Sequence, residues 1–188
     1  LQPLTLLTFF PLVGVLVMGV LDGVLIAVLA SVVMLLARSS RPYVAFLGRI
    51  PGTNRFSDLA RHSGNQPIPG TIVFRVQAAL LYFNVDHVLD VVRQRARQQT
   101  GLRRVVCDLS NVPHVDIAGA RMLRRLHDEF AATKVDFKVV EAHGPVREML
   151  RAEGLETLLG PITRHTGLAD VIAEQEGSGL SNLERRLN

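Results

Sequence analysis

The fold is decided by one stretch, RRVVCDLSNVPHVDIAGARMLRRL, which spans Arg103 to Leu126. Its apolar run, Val105 to Leu109, ends at the polar pair Ser110-Asn111, as is typical of a strand that enters a loop. Further along, apolar residues recur at helical spacing: Leu123, Leu126 and Phe130. The stretch therefore predicts a strand, a loop and a helix.

Asp116 stands directly before the predicted helix. We expect its carboxylate to accept hydrogen bonds from the free amides of Ala118 and Gly119 and so to act as the N-cap. A helix start that faces a strand end also favours anions. In the loop, the Ser110 hydroxyl is expected to bond to its own backbone. We predict a regulatory or partner-binding surface formed by Ser110, Asn111, Asp116, Gly119, Arg121 and Arg125.

The first fifth of the chain has the composition of a membrane segment. From Leu4 to Ala37 the only charged residue is Asp22. One helix of this length would measure about 50 Å, more than the hydrocarbon core of roughly 30 Å. We therefore predict a transmembrane hairpin over 1–38, with two short spans meeting near Leu21 to Gly23. Arg38 and Arg41, which follow, place the next domain on the cytoplasmic side.

The overall composition and charge limit the classes of protein to which this chain can belong. The 188 residues carry a formal net charge of +4, with charges of both signs mixed and no Trp. No basic stripe with interleaved aromatic residues is present, so we expect no nucleic-acid partner. The single cysteine, Cys107, lies in an apolar strand and indicates a small buried side chain in a reducing compartment. The first residue is Leu1 and not Met, so we expect the chain to be the tail of a longer protein.

Prolines and glycines mark the predicted domain boundaries. Residues 39–54 carry two of each and are predicted to be a linker. The domain is predicted over 55–176, followed by a flexible tail at 177–188. Within it, the patterns predict strands at 55–59, 71–76, 105–109, 135–140 and 162–164. Predicted helices begin at Asp86, Asp116, Gly144 and Gly167, the third of them closed by Gly154. This alternation predicts an α/β fold, a mixed β-sheet with helices mainly on one face.

Catalysis is not indicated. Asp108 and Asp116 are candidates for a carboxylate pair in acid/base chemistry, but no companion base or nucleophile accompanies them. The six histidines show no metal-ligand spacing. We therefore predict that the protein is not an enzyme, with no catalytic residue, no metal ligand and no cofactor.

Several segments resemble a known family. Three of them are similar to the junction and early STAS domain of the SulP anion transporters: Phe46 to Gly52, Ile68 to Arg75 and Ala79 to Asn84. The apolar start resembles the last membrane hairpin of that family. Asp116-Ile117-Ala118-Gly119 resembles the STAS motif in which a serine or threonine before the glycine accepts phosphate in related bacterial regulators. Ala118 has no hydroxyl, so that phosphorylation switch is not expected here.

The resemblance implies a function. It implies the carboxy-terminal part of a secondary transporter of sulfate, bicarbonate or a similar small anion, multi-pass in the inner cell membrane, with a cytoplasmic STAS domain for assembly and regulation. It further implies a substrate site on earlier helices outside this chain, and a homodimer. The implied partners are the rest of the membrane domain, the lipid bilayer and a cytoplasmic regulatory protein. The alternative is a membrane-anchored signalling or nucleotide-binding module without transport activity, whose phosphate contact would lie at Asp116 and Ser110-Asn111.

Overall fold

The computed structural model describes residues 20–160, 162 and 167–174, and the chain divides into two compact units between Arg41 and Pro42. In the first unit the described part is one helix, α1 (Val20–Ser39). Its 20 residues give a length of about 30 Å, the thickness of a hydrocarbon core. The mean hydropathy over Leu21–Ser39 is 2.1. By length and composition, α1 is suited to cross a membrane.

Leu21 to Gly23, the predicted meeting point of two spans, are helical and lie at the start of the described part of α1. The first predicted span lies outside the described residues, so the hairpin stays a prediction.

The second unit is built on a five-stranded mixed sheet in the order β2-β1-β3-β4-β5. Its strands are β1 (Val44–Arg49), β2 (Phe56–Asp58), β3 (Thr71–Val76), β4 (Arg104–Asp108) and β5 (Asp136–Val140). β1 runs antiparallel to both β2 and β3. β3, β4 and β5 are parallel, with Phe74 opposite Cys107 and Cys107 opposite Val139. The carboxyl ends of three strands therefore share one edge of the sheet.

The helices lie mainly on one face of this sheet, as predicted. They are α2 (Val85–Gln98), α3 (Ile117–Ala132), α4 (Gly144–Ala152) and α5 (Glu156–Leu159), and residues 168–174 are also helical. Phe74 and Cys107 point into the larger core beneath α2 and α3. Their neighbours Val73 and Val106 point the opposite way, into a smaller core with Ile172, as strand alternation requires. The predicted fold class is confirmed.

The predicted linker at 39–54 is wrong over β1. This strand is paired on both sides, and Ala45 and Leu47 are buried in the smaller core. Gly48 serves packing here, because a Cβ atom would lie 2.4 Å from Leu59 Cδ2 and 2.8 Å from Gln66 O. The globular unit therefore begins at Pro42 and not at residue 55.

Two further predicted boundaries agree with the structure. β2 lies within the predicted strand 55–59 and pairs only with β1, at one edge of the sheet. The predicted closure of α4 is confirmed, because Gly154 has φ +70° and the Leu155 amide donates to Leu150 O at 2.9 Å. Most of the predicted strand 162–164 and all of the tail 177–188 lie outside the described residues.

Candidate functional site

Asp116 joins two parts of the chain at the start of α3. Its Oδ1 accepts a hydrogen bond from the Gly119 amide at 2.8 Å, so the predicted N-cap is confirmed. Its Oδ2 accepts from the amide of Tyr82 at 2.8 Å, and not from Ala118 as expected. The second oxygen faces the β3–α2 loop, whose position local sequence does not reveal. One carboxylate thus holds both the helix start and this loop.

The β3–α2 loop is held by further hydrogen bonds. The Leu80 amide donates to His114 O, and the Asp116 amide donates to Leu80 O, both at 3.0 Å. The buried Asn84 side chain accepts from the Leu81 amide at 3.0 Å and donates to Ala79 O at 2.9 Å. The loop therefore presents its remaining side chains from a well-supported backbone.

Gly119 allows α3 to approach this loop closely. A Cβ atom at this position would lie 2.8 Å from Leu80 O and 2.8 Å from Val115 Cγ1. Both distances are shorter than van der Waals contact permits. Gly119, predicted as a surface residue of the site, instead supports the site from below.

A groove of about 530 Å³ opens between α2 and α3. Tyr82, Val85, Asp86, Leu89, Asp116, Ile117, Ala118, Arg121, Met122 and Arg125 line it. Val85, Leu89 and Met122 are buried and supply an apolar floor. At the mouth, Tyr82 is 75% exposed and Ile117 is 49% exposed. The structure therefore presents apolar surface to solvent where the sequence predicted a partner surface.

The α3 wall of the groove carries both of its arginines. Arg121 lies one helical turn from Arg125, and both are mostly exposed. Arg125 Nε is 3.2 Å from Glu129 Oε1. Arg93 of α2 also binds Glu129, with Nε 2.8 Å from Oε2. This hydrogen bond, aided by both positive charges, lowers the pKa of the Glu129 carboxyl against the effect of burial, so the carboxylate stays ionised at neutral pH.

Ser110 and Asn111 lie away from the groove. The Ser110 amide donates to Asp108 Oδ1 at 2.9 Å, and His143 Nε2 lies 2.7 Å from Ser110 O. The Ser110 Oγ is buried without a hydrogen-bond partner among the described residues. The predicted bond from this hydroxyl to its own backbone is therefore wrong, because Asp108 takes the polar contact of the turn. The predicted surface thus divides in two, with Asp116, Arg121 and Arg125 at the groove.

Asp108 has a structural role. It is fully buried, and its Oδ2 accepts from Arg75 Nε at 2.9 Å and from Arg75 Nη2 at 2.6 Å. Since Asp116 is likewise bonded to two amides, both carboxylates considered for acid/base chemistry hold backbone or ion-pair contacts. Among the residues that the structure describes, no group of three or more His, Cys, Asp or Glu side chains is placed to hold a metal ion.

Sequence reasoning missed the α2 side of the groove. Tyr82, Asp86 and Leu89 face α3 across it, although none was predicted as a site residue. A signal was present in the segment Ala79 to Asn84, where Tyr82 stands two residues before the loop residue Asn84. Only the tertiary contact to Asp116 shows that this segment and α3 form one surface.

Comparison with known proteins identifies the fold family. The STAS domain family matches residues 65–169, more than half of the chain. Sulfate transporter 2.1 of Arabidopsis thaliana is 32% identical over 139 residues, 68% of this chain and 20% of that protein. High affinity sulfate transporter 1 of Stylosanthes hamata is 27% identical over 169 residues, 85% of this chain and 25% of that protein. The chain thus spans a quarter or less of these relatives.

Solved structures share the fold. The murine anion transporter Slc26a9 in its inward-facing state superposes with a TM-score of 0.64 at 18% identity, over 72% of this chain and 22% of that one. A second SLC26A9 structure gives a TM-score of 0.71 at 16% identity, over 96% of this chain and 31% of that one. By the family match over residues 65–169, the chain belongs to the STAS domain family, and it has sulfate transporters among its homologues.

Proposed function

We propose that this chain is the carboxy-terminal part of a secondary transporter for sulfate, bicarbonate or a similar small anion. The observation that carries the proposal is the extent of the match. It covers 85% of the chain in a high affinity sulfate transporter, well beyond the residues 65–169 of the STAS domain. A membrane-length helix followed by a STAS domain is the arrangement that such a transporter would end on.

The proposal assigns a cellular location and a role to each of the two units. α1 crosses the inner cell membrane as one span of a multi-pass protein, since its exposed side chains are almost all apolar. Arg38, in the last turn of α1, and Arg41, just after it, hold the STAS domain on the cytoplasmic side. The transported anion binds to other membrane helices, and the STAS domain serves assembly of a homodimer and regulation.

The groove between α2 and α3 is the proposed regulatory surface. It combines exposed apolar side chains with mostly exposed arginines, and apolar surface rimmed by polar residues is typical of an interaction site. A cytoplasmic regulatory protein is the proposed partner.

The nucleotide-binding alternative is disfavoured by Asp116. Its carboxylate already accepts the Gly119 amide at the start of α3, and its negative charge opposes a phosphate at the same place. Titrating the chain with GTP and ATP while following amide chemical shifts tests this alternative. Shifts confined to residues 111–119 would support nucleotide binding.

The transport proposal is tested in cells that lack their own sulfate transporter. The full-length protein that carries this chain is expressed, and uptake of labelled sulfate is measured with unlabelled sulfate, bicarbonate or chloride as competitors. A version lacking residues 42–188 is compared at matched surface amount. We expect anion uptake that the deletion reduces. Absence of uptake for every anion, or uptake and surface amount untouched by the deletion, would contradict the proposal.

A further inference from the structure

We propose that the outer edge of the sheet, formed by β1 and β2, binds the phosphate groups of anionic lipids in the cytoplasmic leaflet through Arg55 and Arg61. Arg55 precedes β2 and Arg61 follows it, and β2 pairs only with β1. This inference rests on the proposed passage of α1 through the membrane and adds a lipid partner for the STAS domain.

Positive charge is unevenly distributed along the chain. Residues 71–174 contain 14 basic and 13 acidic residues, so this part is almost neutral. Residues 38–70, in contrast, contain five arginines and a single acid, Asp58. The five are Arg38, Arg41, Arg49, Arg55 and Arg61. A basic segment that directly follows a membrane span is the arrangement that attracts anionic headgroups.

The one carboxylate of this segment is buried and already bonded. Asp58 is 8% exposed. Its Oδ2 accepts a hydrogen bond from the Tyr43 hydroxyl at 2.7 Å, and its Oδ1 accepts from the Ala60 amide at 2.8 Å. Arg61 Nε lies 3.6 Å from Asp58 Oδ2, which is longer than a hydrogen bond. Asp58 therefore balances at most one of the five positive charges and leaves the N–H donors of Arg61 for a further anion.

Aromatic rings hold two of the arginines in place without neutralising them. Arg61 Cζ lies 5.4 Å from the ring centroid of Tyr43, and Arg49 Cζ lies 5.8 Å from that of Phe56. The Arg61 side chain is nevertheless 65% exposed, and Arg55 is exposed as well. A guanidinium over a ring keeps its charge and the N–H groups at its rim, which match the oxygens of a phosphate. The edge thus combines oriented cations with little acid.

The connection to α1 favours a lipid over a soluble anion. Only two residues separate Ser39, the last residue of α1, from Pro42, the first residue of the globular unit. The chain from Ser39 to Tyr43 extends over at most about 14 Å. Because α1 is proposed to cross the membrane, Tyr43 and the Arg61 guanidinium on its ring stay near the lipid surface. Lipid phosphates are therefore present at a high effective concentration.

The test measures contact of this edge with lipid headgroups in nanodiscs that contain the full chain. A Ser63→Cys variant carries a fluorophore at an exposed position close to Arg61, and the native Cys107 is fully buried and escapes labelling. The quencher is a phosphatidylcholine with a nitroxide on its headgroup, which acts only at contact range. We expect quenching to rise about twofold when one third of the lipid is phosphatidylglycerol.

Salt shows whether charge causes this rise. In about 1 M salt the screening length is about 3 Å, so the rise should disappear. Quenching that does not depend on phosphatidylglycerol, or a rise that salt leaves unchanged, would overturn the proposal.

Substitutions then locate the binding residues. Arg55→Gln/Arg61→Gln removes two exposed charges and should reduce the phosphatidylglycerol-dependent rise to less than half. Arg55→Lys/Arg61→Lys keeps both charges and should retain most of the rise. The matched control Arg97→Gln removes an exposed charge from α2 and should leave the rise intact, with circular dichroism as the check of folding for every variant. A rise that survives in the double glutamine variant, or an equal loss in the control, would contradict the assignment.

Two further comparisons separate lipid binding from free phosphate and from the transporter assignment. Sodium phosphate and sodium chloride at equal ionic strength should lower the quenching equally. A larger effect of phosphate would indicate a site for the free anion and refute lipid binding. Sulfate uptake by the full-length protein without phosphatidylglycerol-dependent quenching refutes the lipid proposal alone. Phosphatidylglycerol-dependent quenching without anion uptake supports the lipid proposal and refutes the transporter assignment.

Discussion

Asp116 Oδ2 accepts a hydrogen bond from the Tyr82 amide at 2.8 Å, across 34 positions of sequence. The other oxygen of the same carboxylate caps α3 through Gly119. Together with the other hydrogen bonds of the β3–α2 loop, this side chain therefore fixes the position of the exposed Tyr82 ring relative to α3. The surface that we propose for regulation depends on a contact within the fold.

Substitutions of Asp116 should separate its two contacts. Asp116→Asn keeps an oxygen for the helix cap and loses the acceptor for Tyr82, which we expect to cost about 1 kcal/mol. Asp116→Ala loses both, at a cost of about 2–3 kcal/mol. Chemical unfolding of the chain in detergent measures the series. Asp90→Asn is the control, because Asp90 is exposed and 3.7 Å from Arg93. An Asp116→Asn variant as stable as the unsubstituted chain would show that Tyr82 gains nothing from the carboxylate.

Gly119→Ala should destabilise the domain by about 1–3 kcal/mol, as overpacking of a close contact does. The added methyl group would lie 2.8 Å from Leu80 O and so force the loop away from α3. Gly144→Ala, at the first position of α4, is the matched control because its Cβ meets nothing within 4 Å. Thermal melting of both variants distinguishes a steric clash of the added methyl group from the general effect of replacing glycine by alanine. A loss shared by both glycines would rule out the steric explanation.

The ion pair between the partly exposed Arg75 and the fully buried Asp108 should be costly to break by removing one partner alone. Arg75→Met leaves the fully buried Asp108 carboxylate without its cation, which we expect to cost about 3–5 kcal/mol. Arg75→Met/Asp108→Asn removes the charge and keeps an acceptor for the Ser110 amide, so most of the stability should return. A double-mutant cycle by urea unfolding gives the coupling. Additive losses would show that the two side chains do not act as a pair.

Glu129 should make the stability of the folded domain depend on pH. Its pKa in the folded state is lowered, chiefly by the hydrogen bond from Arg93. Its contribution is therefore present above the unfolded pKa, about 4.3, and is lost as pH falls through the folded value. Because the pair is partly exposed, we expect less than about 1 kcal/mol at pH 7.

The measurement for Glu129 is the melting temperature of Glu129→Gln against the unsubstituted chain from pH 7 to pH 3. The difference should shrink as pH falls below about 4.3, the unfolded pKa, and disappear below the lowered folded pKa, where both states are protonated. Glu148→Gln, at an exposed position of α4, controls for loss of a charge. A difference that grows toward low pH would have the wrong sign for a carboxyl group whose pKa is lowered by folding.

Local sequence patterns were sufficient to predict the three parallel strands, β3, β4 and β5. The strand, loop and helix around Asp116 were predictable because apolar alternation, a polar turn and a capping carboxylate all agree there. β1 was not predictable in the same way. Its Gly48 and the nearby prolines have the composition of a linker, yet Gly48 is present because Leu59 and Gln66 pack against its backbone. Sequence does not distinguish a glycine that bends the chain from one that allows close contact.

The candidate site was half predictable. Asp116, Arg121 and Arg125 were found because they surround a helix start, whereas Tyr82 and Leu89 come from another part of the chain and meet them only after folding. Ser110 and Asn111 were placed with the site by their nearness in sequence. In the structure Ser110 instead contacts His143, before α4. Long-range contact, which no local pattern records, decides both outcomes.

The most direct test of the proposed regulatory groove is uptake of labelled sulfate by the full-length protein carrying Tyr82→Ala, normalised to the amount at the cell surface. Tyr82 is exposed, so its truncation should leave folding and surface amount unchanged, with Arg97→Glu as the control for an exposed substitution. We predict that uptake per surface transporter falls at least threefold for Tyr82→Ala and stays unchanged for the control. Equal uptake by Tyr82→Ala, the control and the unsubstituted protein would contradict a regulatory role for the groove.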